Sequence, residues 1–439
     1  MVKKMKRELF CKILNSEMQL ATGCTEPAAV ALCAAYASEQ LGTEVAEVHV
    51  LASVNIIKNA MSAGIPGISN TGINYAAALG AIGGVVERQL QVIDSTSEKE
   101  REKAVKLVKD GHVHMGMKNT EEKLYIEVEV RSADGHQAKA IIATAHTNLV
   151  YLEKDGVCLL KKQQLTGTEK ISPDLVEHTL SVESIYRFVN ELDRQTDDLH
   201  MVELAIAVNK RIAEEGAQKP FGLTIGQHIM NARSEGTMGS DVVTAAMERT
   251  ASGIDARMGG AGVPVVTNSG SGNQGITATI PVLTAAEAFG IDDDRLFRAV
   301  TLSHLMAIYI HCRFGLLSAL CGATIAGTGA SCGIVYLLGG GPKEIGYAIN
   351  NMMGCVTGML CDGAKADCAM KVSACVNMAF LSAFMAIKGT CVSSDEGIVE
   401  EDPAHTIRNF VRLGNDGSPV MDNIILDIMF SKRTGKTLE

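Results

Sequence analysis

Twelve cysteines stand in this 439-residue chain, and three late ones invite grouping: Cys321, Cys361 and Cys368. Cys361 and Cys368 bracket Asp362-Gly363-Ala364-Lys365-Ala366-Asp367. A separation of seven puts two thiols on one helical face, two turns apart. Alternatively, Gly363 lets the chain fold back around a bound ion. Three thiolates suit an iron–sulfur cluster, because soft sulfur ligands select iron–sulfur, zinc or Cu(I). A 4Fe–4S cluster held by three cysteines leaves one iron open, a Lewis acid able to take a thiolate or hydroxide leaving group. The competing reading is that these are small buried hydrophobes, since the chain contains no CxxC pair.

A second unit is Gly23-Cys24-Thr25-Glu26-Pro27, just where a helix is predicted to start. A thiol at a helix N-terminus feels free N–H groups and the positive helix end, which lower its pKa. Cys24 is therefore a candidate base or nucleophile, or else merely the neighbour of a capping threonine. A third unit, Ser269-Gly270-Ser271-Gly272-Asn273-Gln274-Gly275, contains G-x-G-x-x-G after the apolar run Val263–Val266. A dinucleotide site is one reading. Its context is poor, because Pro281 interrupts the helix that should follow. A glycine loop that binds a carboxylate through its N–H groups with Asn273 and Gln274 is preferred, and a plain turn is the bland alternative. Lys58, with Asn59 beside it, sits at a predicted strand end before Gly64-Ile65-Pro66-Gly67 and is a candidate to hold a substrate carboxylate. His146 interrupts an apolar strand run among polar neighbours, which makes it a catalytic candidate as well as a candidate core histidine.

The elements that must position these residues divide into two parts. The first mixes helices, Leu9–Met18, Thr25–Leu41, Asn74–Val92 and Lys99–Lys109, with strand-like runs at Val45–Ser53, His112–Met117, Lys123–Val130, Lys139–Ala145, Leu149–Glu153 and Val157–Leu160. Turn signals at Ala133-Asp134-Gly135 and Lys154-Asp155-Gly156 make this an antiparallel sheet with helices, so the fold class is α+β. From about Pro173 helical periodicity takes over, in Leu175–Leu192, Val202–Glu215 and Ser240–Ser252, followed by apolar helices separated by glycines. The expected division is an α+β domain over 1–170 and a mostly helical domain over 171–439, with the boundary near 165–175.

Composition narrows the function. At 46% hydrophobic and 21% charged the chain folds into a core, and a net charge of −10 argues against nucleic acid and anionic membranes as partners. A small substrate held by a few local cations is expected. The uncharged stretch Phe314–Pro342 is long enough for a membrane span, but its Gly, Ala, Ser and Thr content favours a buried helix pair. The N-terminal stretch lacks the apolar core and cleavage site of a signal peptide, so a cytoplasmic location with reduced cysteines is expected.

Together, Gly23–Pro27, Lys58-Asn59 with Gly-Ile-Pro-Gly, Gly272–Gly275, Leu320-Cys321-Gly322 and Cys361–Lys365 with Cys368 resemble the L-cysteine desulfidases, relatives of the iron–sulfur L-serine dehydratase alpha chain. The resemblance runs from about residue 10 to 430 and follows the family's motif order. It implies a 4Fe–4S cluster on Cys321, Cys361 and Cys368, Cys24 as proton acceptor, no pyridoxal phosphate, and conversion of L-cysteine with water to pyruvate, ammonia and hydrogen sulfide. The serine dehydratases carry a tail cysteine that reaches the cluster; here the last cysteine is Cys391, which favours the desulfidase branch. The expected partner is a small amino acid, and a homo-oligomer is expected. The alternatives are the same elimination from L-serine or another β-substituted amino acid, a dinucleotide-dependent oxidoreductase, and a non-catalytic iron or redox sensor.

Overall fold

The computed structural model describes residues 2–162, 172–314 and 318–434. The chain opens with α1 (Val2–Glu17), β1 (Leu20–Thr22), α2 (Thr25–Leu41), β2 (Glu47–Ala52), α3 (Val54–Ala60), α4 (Ile73–Gly83) and α5 (Glu98–Lys109). The strands β3 (Val113–Met117), β4 (Tyr125–Arg131), β5 (Gln137–Ala143), β6 (Leu149–Lys154) and β7 (Val157–Lys161) follow. Then come α6 (Pro173–Thr179), α7 (Val182–Glu191), α8 (His200–Gln218), α9 (Ile225–Ser234), α10 (Val242–Met258) and β8 (Pro264–Val266). The chain continues through α11 (Gly272–Phe289), α12 (Asp293–His311), α13 (Gly322–Leu337), α14 (Pro342–Val356), α15 (Cys368–Ile387) and α16 (Pro403–Thr434). The fold is α+β.

The main sheet has strand order β3-β2-β4-β5-β6-β7. All its pairs are antiparallel except β2 with β3, which are parallel, so the expected antiparallel sheet carries one parallel edge pair. Alternation sets its buried face: Val48 and Val50 on β2, Ile126, Val128 and Val130 on β4, and Ala138, Ala140 and Ile142 on β5 are all buried. The alanine-rich α2 lies across β4, β5 and β6, its small side chains letting helix and sheet approach.

Several local expectations are corrected. Asn55–Asn59 is not a strand end but the helix α3; Ile56, Ile57 and Ala60 fall on one helical face and are buried, and that packing overrides the strand preference of β-branched residues. The helix expected over 74–92 ends at Gly83 and resumes as a 3-10 turn at Val86–Gln91. The helix expected over 175–192 is two, because Ser181 and Ser184 form reciprocal side-chain-to-backbone caps that start α7 afresh. Pro281 does not interrupt α11, which is held by α8, α10, α12 and α13 around it. Among the described residues of Phe314–Pro342 there is one complete helix, α13, not a pair; α14 starts at Pro342. Gly329 is an approach point rather than a break, since a Cβ there would lie 2.5 Å from the Ser303 carbonyl oxygen of α12.

Buried apolar side chains form two large clusters, one under the sheet and one among the later helices. The two chain ends cross between them. Phe10, Ile13 and Leu14 of α1 join the helical cluster, while Leu426 of α16 joins the one under the sheet. Residues 165–171 of the expected 165–175 boundary lie outside the described residues, as do 435–439 of the tail. By length and composition α15 is the one described helix able to cross a membrane, and half of its apolar stretch is buried inside the protein.

Candidate active site

Backbone pairing brings the cysteine segments together. Leu320 and Leu360 form an antiparallel bridge, with Cys321 N–H donating to Met359 O at 2.9 Å and Cys361 N–H to Ala319 O at 2.8 Å. Cys321 and Cys361 thus start from one two-strand bridge. The loop after Cys361 turns at Gly363, whose φ of +100° places it in the left-handed region and whose missing Cβ would lie 2.3 Å from Lys58 O. Glycine is required there on both counts, and the loop returns Cys368 to the start of α15. All three thiols line one cavity, with Cys24 on the same wall set and about 120 Å³ of space for water-sized contents.

Four helices aim their N-termini at this cavity. Cys24 caps α2, Ser271 caps α11, Cys321 caps α13, and Cys368 opens α15; all four residues line it. Unsatisfied N–H groups and aligned peptide dipoles make such ends favourable to anions. Asn273 and Gln274 enter from the first turn of α11 and Arg257 from the last turn of α10. Arg257 is buried, donates from Nη1 to Asn273 Oδ1 at 2.7 Å, and makes no ion pair among the described residues. Arg257 Nε, Gln274 Oε1 and Asn59 Oδ1 are buried without a partner among the described residues.

Cys24 is tied to a buried carboxylate. Its Sγ donates to Glu26 Oε2 at 3.1 Å; Thr25 Oγ1 donates to the same oxygen at 3.0 Å, and Asn59 Nδ2 donates to Oε1 at 3.0 Å. Burial would raise the Glu26 carboxyl, but the His146 charge, the Cys24 hydrogen bond, its own backbone N–H and Arg257 hold it below the usual value. The Cys24 thiol moves the other way. Burial foremost, then the Glu26 charge, pushes it well above its ordinary value, only partly offset by Arg257. The expectation that the helix end lowers this pKa is therefore corrected.

Of the residues singled out in the sequence, Cys24, Asn59, Asn273, Gln274, Cys321, Cys361 and Cys368 meet at the cavity. His146, buried in the turn between β5 and β6, stands behind it and acts on Glu26. Lys58 is not at the cavity. Its Nζ lies 2.5 Å from Asp422 Oδ1 of α16 and 3.4 Å from Cys361 O, so its charge is spent on structure and the proposed grip on a substrate carboxylate is not supported. The glycine unit is a turn, Asn268–Ser271, opening α11; the preceding β8 pairs antiparallel with β1, so the parallel βαβ setting of a dinucleotide site is absent among the described residues. Sequence reading missed Arg257 and gave Glu26 no role. Arg257 continues the buried stripe Ala246, Thr250, Ile254 of α10, a placement that only the fold reveals.

The donor set suits a soft metal centre. Cys321 is driven well above its usual pKa by burial and then by Cys361, and Cys368 is pushed up to about 11 by burial. The raised thiols of Cys321 and Cys368 ionise readily only beside a compensating cation, and sulfur ligands choose iron–sulfur, zinc or Cu(I).

One cavity thus joins Cys24 with its carboxylate partner, three further thiols and the buried Arg257. The serine dehydratase alpha chain family matches residues 87–427, which include all three cavity thiols of the later helices. The UPF0597 protein of Phocaeicola vulgatus is 43% identical over 435 residues, covering 99% of this chain and 100% of that protein. A UPF0597 protein of Bacteroides fragilis is 42% identical over 427 residues (97% of this chain, 98% of that one), and one of Clostridium perfringens is 39% identical over 430 residues (97% and 99%). The chain belongs to the serine dehydratase alpha chain family, an iron–sulfur related family whose membership supports a lyase of the dehydratase type.

Proposed function

We propose that this protein catalyses α,β-elimination from a small L-α-amino acid, with L-cysteine as the substrate and pyruvate, ammonia and hydrogen sulfide as products. The observation that carries the reading is the composition of one cavity: three thiols, a fourth thiol bound to a carboxylate, and a buried guanidinium beside unpartnered amide oxygens. Cys321, Cys361 and Cys368 are the residues that would hold a 4Fe–4S cluster, which when bound supplies a Lewis acid for the leaving group. Arg257, braced by Asn273, takes the substrate carboxylate. The Gln274 and Asn59 oxygens accept from the substrate ammonium, using capacity that no protein group fills. That two-point grip turns Cα toward Cys24, which receives its proton. The released aminoacrylate hydrolyses in water.

The test is anaerobic reconstitution with iron and sulfide counted, followed by pyruvate and sulfide assays on L-cysteine, D-cysteine and L-serine. The reading expects iron-dependent pyruvate from L-cysteine at a higher kcat/KM than from L-serine. Faster turnover of L-serine transfers the same mechanism to a hydroxide leaving group. No pyruvate from any β-substituted amino acid by the iron-loaded protein overturns it.

A further inference from the structure

We propose that Glu26 is the terminal proton acceptor of the elimination, and that Cys24 is the relay delivering the Cα proton to it. This rests on the reaction proposed above. The geometry is that of a carboxylate built to be an anion. Glu26 is 8% exposed, and its oxygens take hydrogen bonds from three side chains on two helices: Cys24 and Thr25 at the start of α2, and Asn59 of α3. Two groups from other elements act on it to favour its anion, His146 from the β5–β6 turn and Arg257 from α10. A glutamate that only caps a helix reaches back to the N-cap backbone N–H. Both Glu26 oxygens also accept from side chains, one of them the Cys24 thiol.

A protonated thiol cannot take a proton unless it gives one up. Among the described residues Glu26 Oε2 is the acceptor of the Cys24 S–H, at 3.1 Å. The step balances as a shuttle. The Cα–H bond breaks and its proton forms a new S–H on Cys24 as the old S–H proton passes to Glu26 Oε2. The electron pair left on Cα becomes the Cα=Cβ bond, and the bond from Cβ to the leaving group breaks with its pair. One proton leaves carbon, one arrives on oxygen, and no electron is transferred to or from the protein. The thiol never has to exist as a free thiolate in an apolar wall, where burial penalises it most. Its large, polarisable sulfur supplies the reach to carbon, and the carboxylate supplies the anion that takes the displaced S–H proton.

The experiment is Glu26→Gln in the full-length, anaerobically reconstituted protein, with three readouts: iron and sulfide per chain, pyruvate formation, and alkylation of Cys24 by iodoacetamide against pH, read at its own peptide by mass spectrometry. The amide keeps the size of the side chain and removes its charge. The relay expects iron content unchanged, turnover down about a hundredfold or more, and Cys24 alkylated faster at a given pH, because the negative neighbour that holds its proton is gone. A more reactive thiol in a slower enzyme is an outcome that a purely structural role does not give. Glu26→Asp, which keeps the charge and shortens the reach, should retain intermediate turnover with Cys24 titrating near the wild-type position. Turnover by Glu26→Gln equal to or above wild type overturns the relay, as does loss of iron or slower alkylation alongside lost turnover. A wild-type protein that makes no pyruvate fails at the reaction itself and is distinguishable from a failed relay, which needs an active wild type to be seen.

Discussion

Replacing Lys58 by Met removes the ammonium that sits 2.5 Å from Asp422 Oδ1 and leaves that buried carboxylate with the Asn55 amide, at 2.9 Å, as its remaining bond. Lys58 is 1% exposed and Asp422 5%, so the uncompensated charge has little water to turn to. Breaking such a pair from one side costs about 3–5 kcal/mol. With a urea m-value of about 3 kcal/mol/M, suited to a large unfolding surface, the midpoint should fall by about 1–1.7 M. The double variant Lys58→Met/Asp422→Leu removes both charges and should recover most of the loss, because an apolar pair is no worse than a buried ion pair. The pair joins α3 to α16 close to where Lys58 Nζ meets Cys361 O and Ser418 Oγ accepts from Ala319 N–H, so iron retention should weaken in the single variant and return in the double. Urea unfolding, iron content and KM together decide the matter. A Lys58→Met protein of unchanged stability whose KM for the amino acid has risen tenfold or more would refute the structural assignment and restore Lys58 as a substrate ligand.

Ser in place of Cys321, Cys361 or Cys368 should abolish bound iron and turnover together, while Cys33→Ser, Cys158→Ser and Cys391→Ser, away from the cavity, should leave both; iron analysis after anaerobic reconstitution checks it. Arg257→Lys keeps the charge but loses the planar fork, and should lower kcat/KM by about 1.5–3 kcal/mol, roughly tenfold to a hundredfold, mainly through KM and with iron unchanged. His304 is held near pKa 3 by burial, accepting from Asn268 Nδ2 at 3.0 Å and bonded to Thr279 at 3.0 Å beneath the turn that opens α11. Its folded value lies below the unfolded value of about 6.5. The unfolded chain therefore gains a proton first, and stability should fall as pH drops from about 6.5 toward 3. Melting curves of wild type and His304→Gln should converge as pH is lowered through that window, and parallel pH profiles would count against it.

The sheet was legible because its signals are local. Alternation at Val48-Val50-Ala52 and Ile126-Val128-Val130 and the turns at Gly135 and Gly156 mark strands without knowledge of their partners. The parallel β2–β3 pair was not legible, because its crossover through α3, α4 and α5 leaves no mark on either strand. Cys24, Asn273, Gln274 and the three later thiols were legible as residue types beside turns and helix starts. Lys58 misled because a lysine near a loop carries no sign of its partner, and Asp422 lies hundreds of residues away on α16. Arg257 was hidden within a helix that reads as amphipathic until its buried face is known.

Cys24 shows which effect wins when a helix end and a buried wall act on one thiol. Charge placed at a helix N-terminus gains about 0.3–1 kcal/mol, rising to ~2 in partly buried geometry, which corresponds to about one pKa unit or a little more. Full burial shifts a group by up to 3–5 units in the opposite sense, and the ionised Glu26 adds to it. Burial therefore dominates, and the same holds for Cys321 at the start of α13. Four helix N-termini around one cavity do not ionise its thiols; they reduce the cost of negative charge that arrives with a compensating cation or with a bound substrate. Arg257 is buried and makes no ion pair among the described residues, though its charge acts on Glu26. An anionic α-carboxylate at Arg257 and a cationic centre at the three thiols carry opposite charge in one cavity, so substrate and metal should bind more tightly together than either does alone.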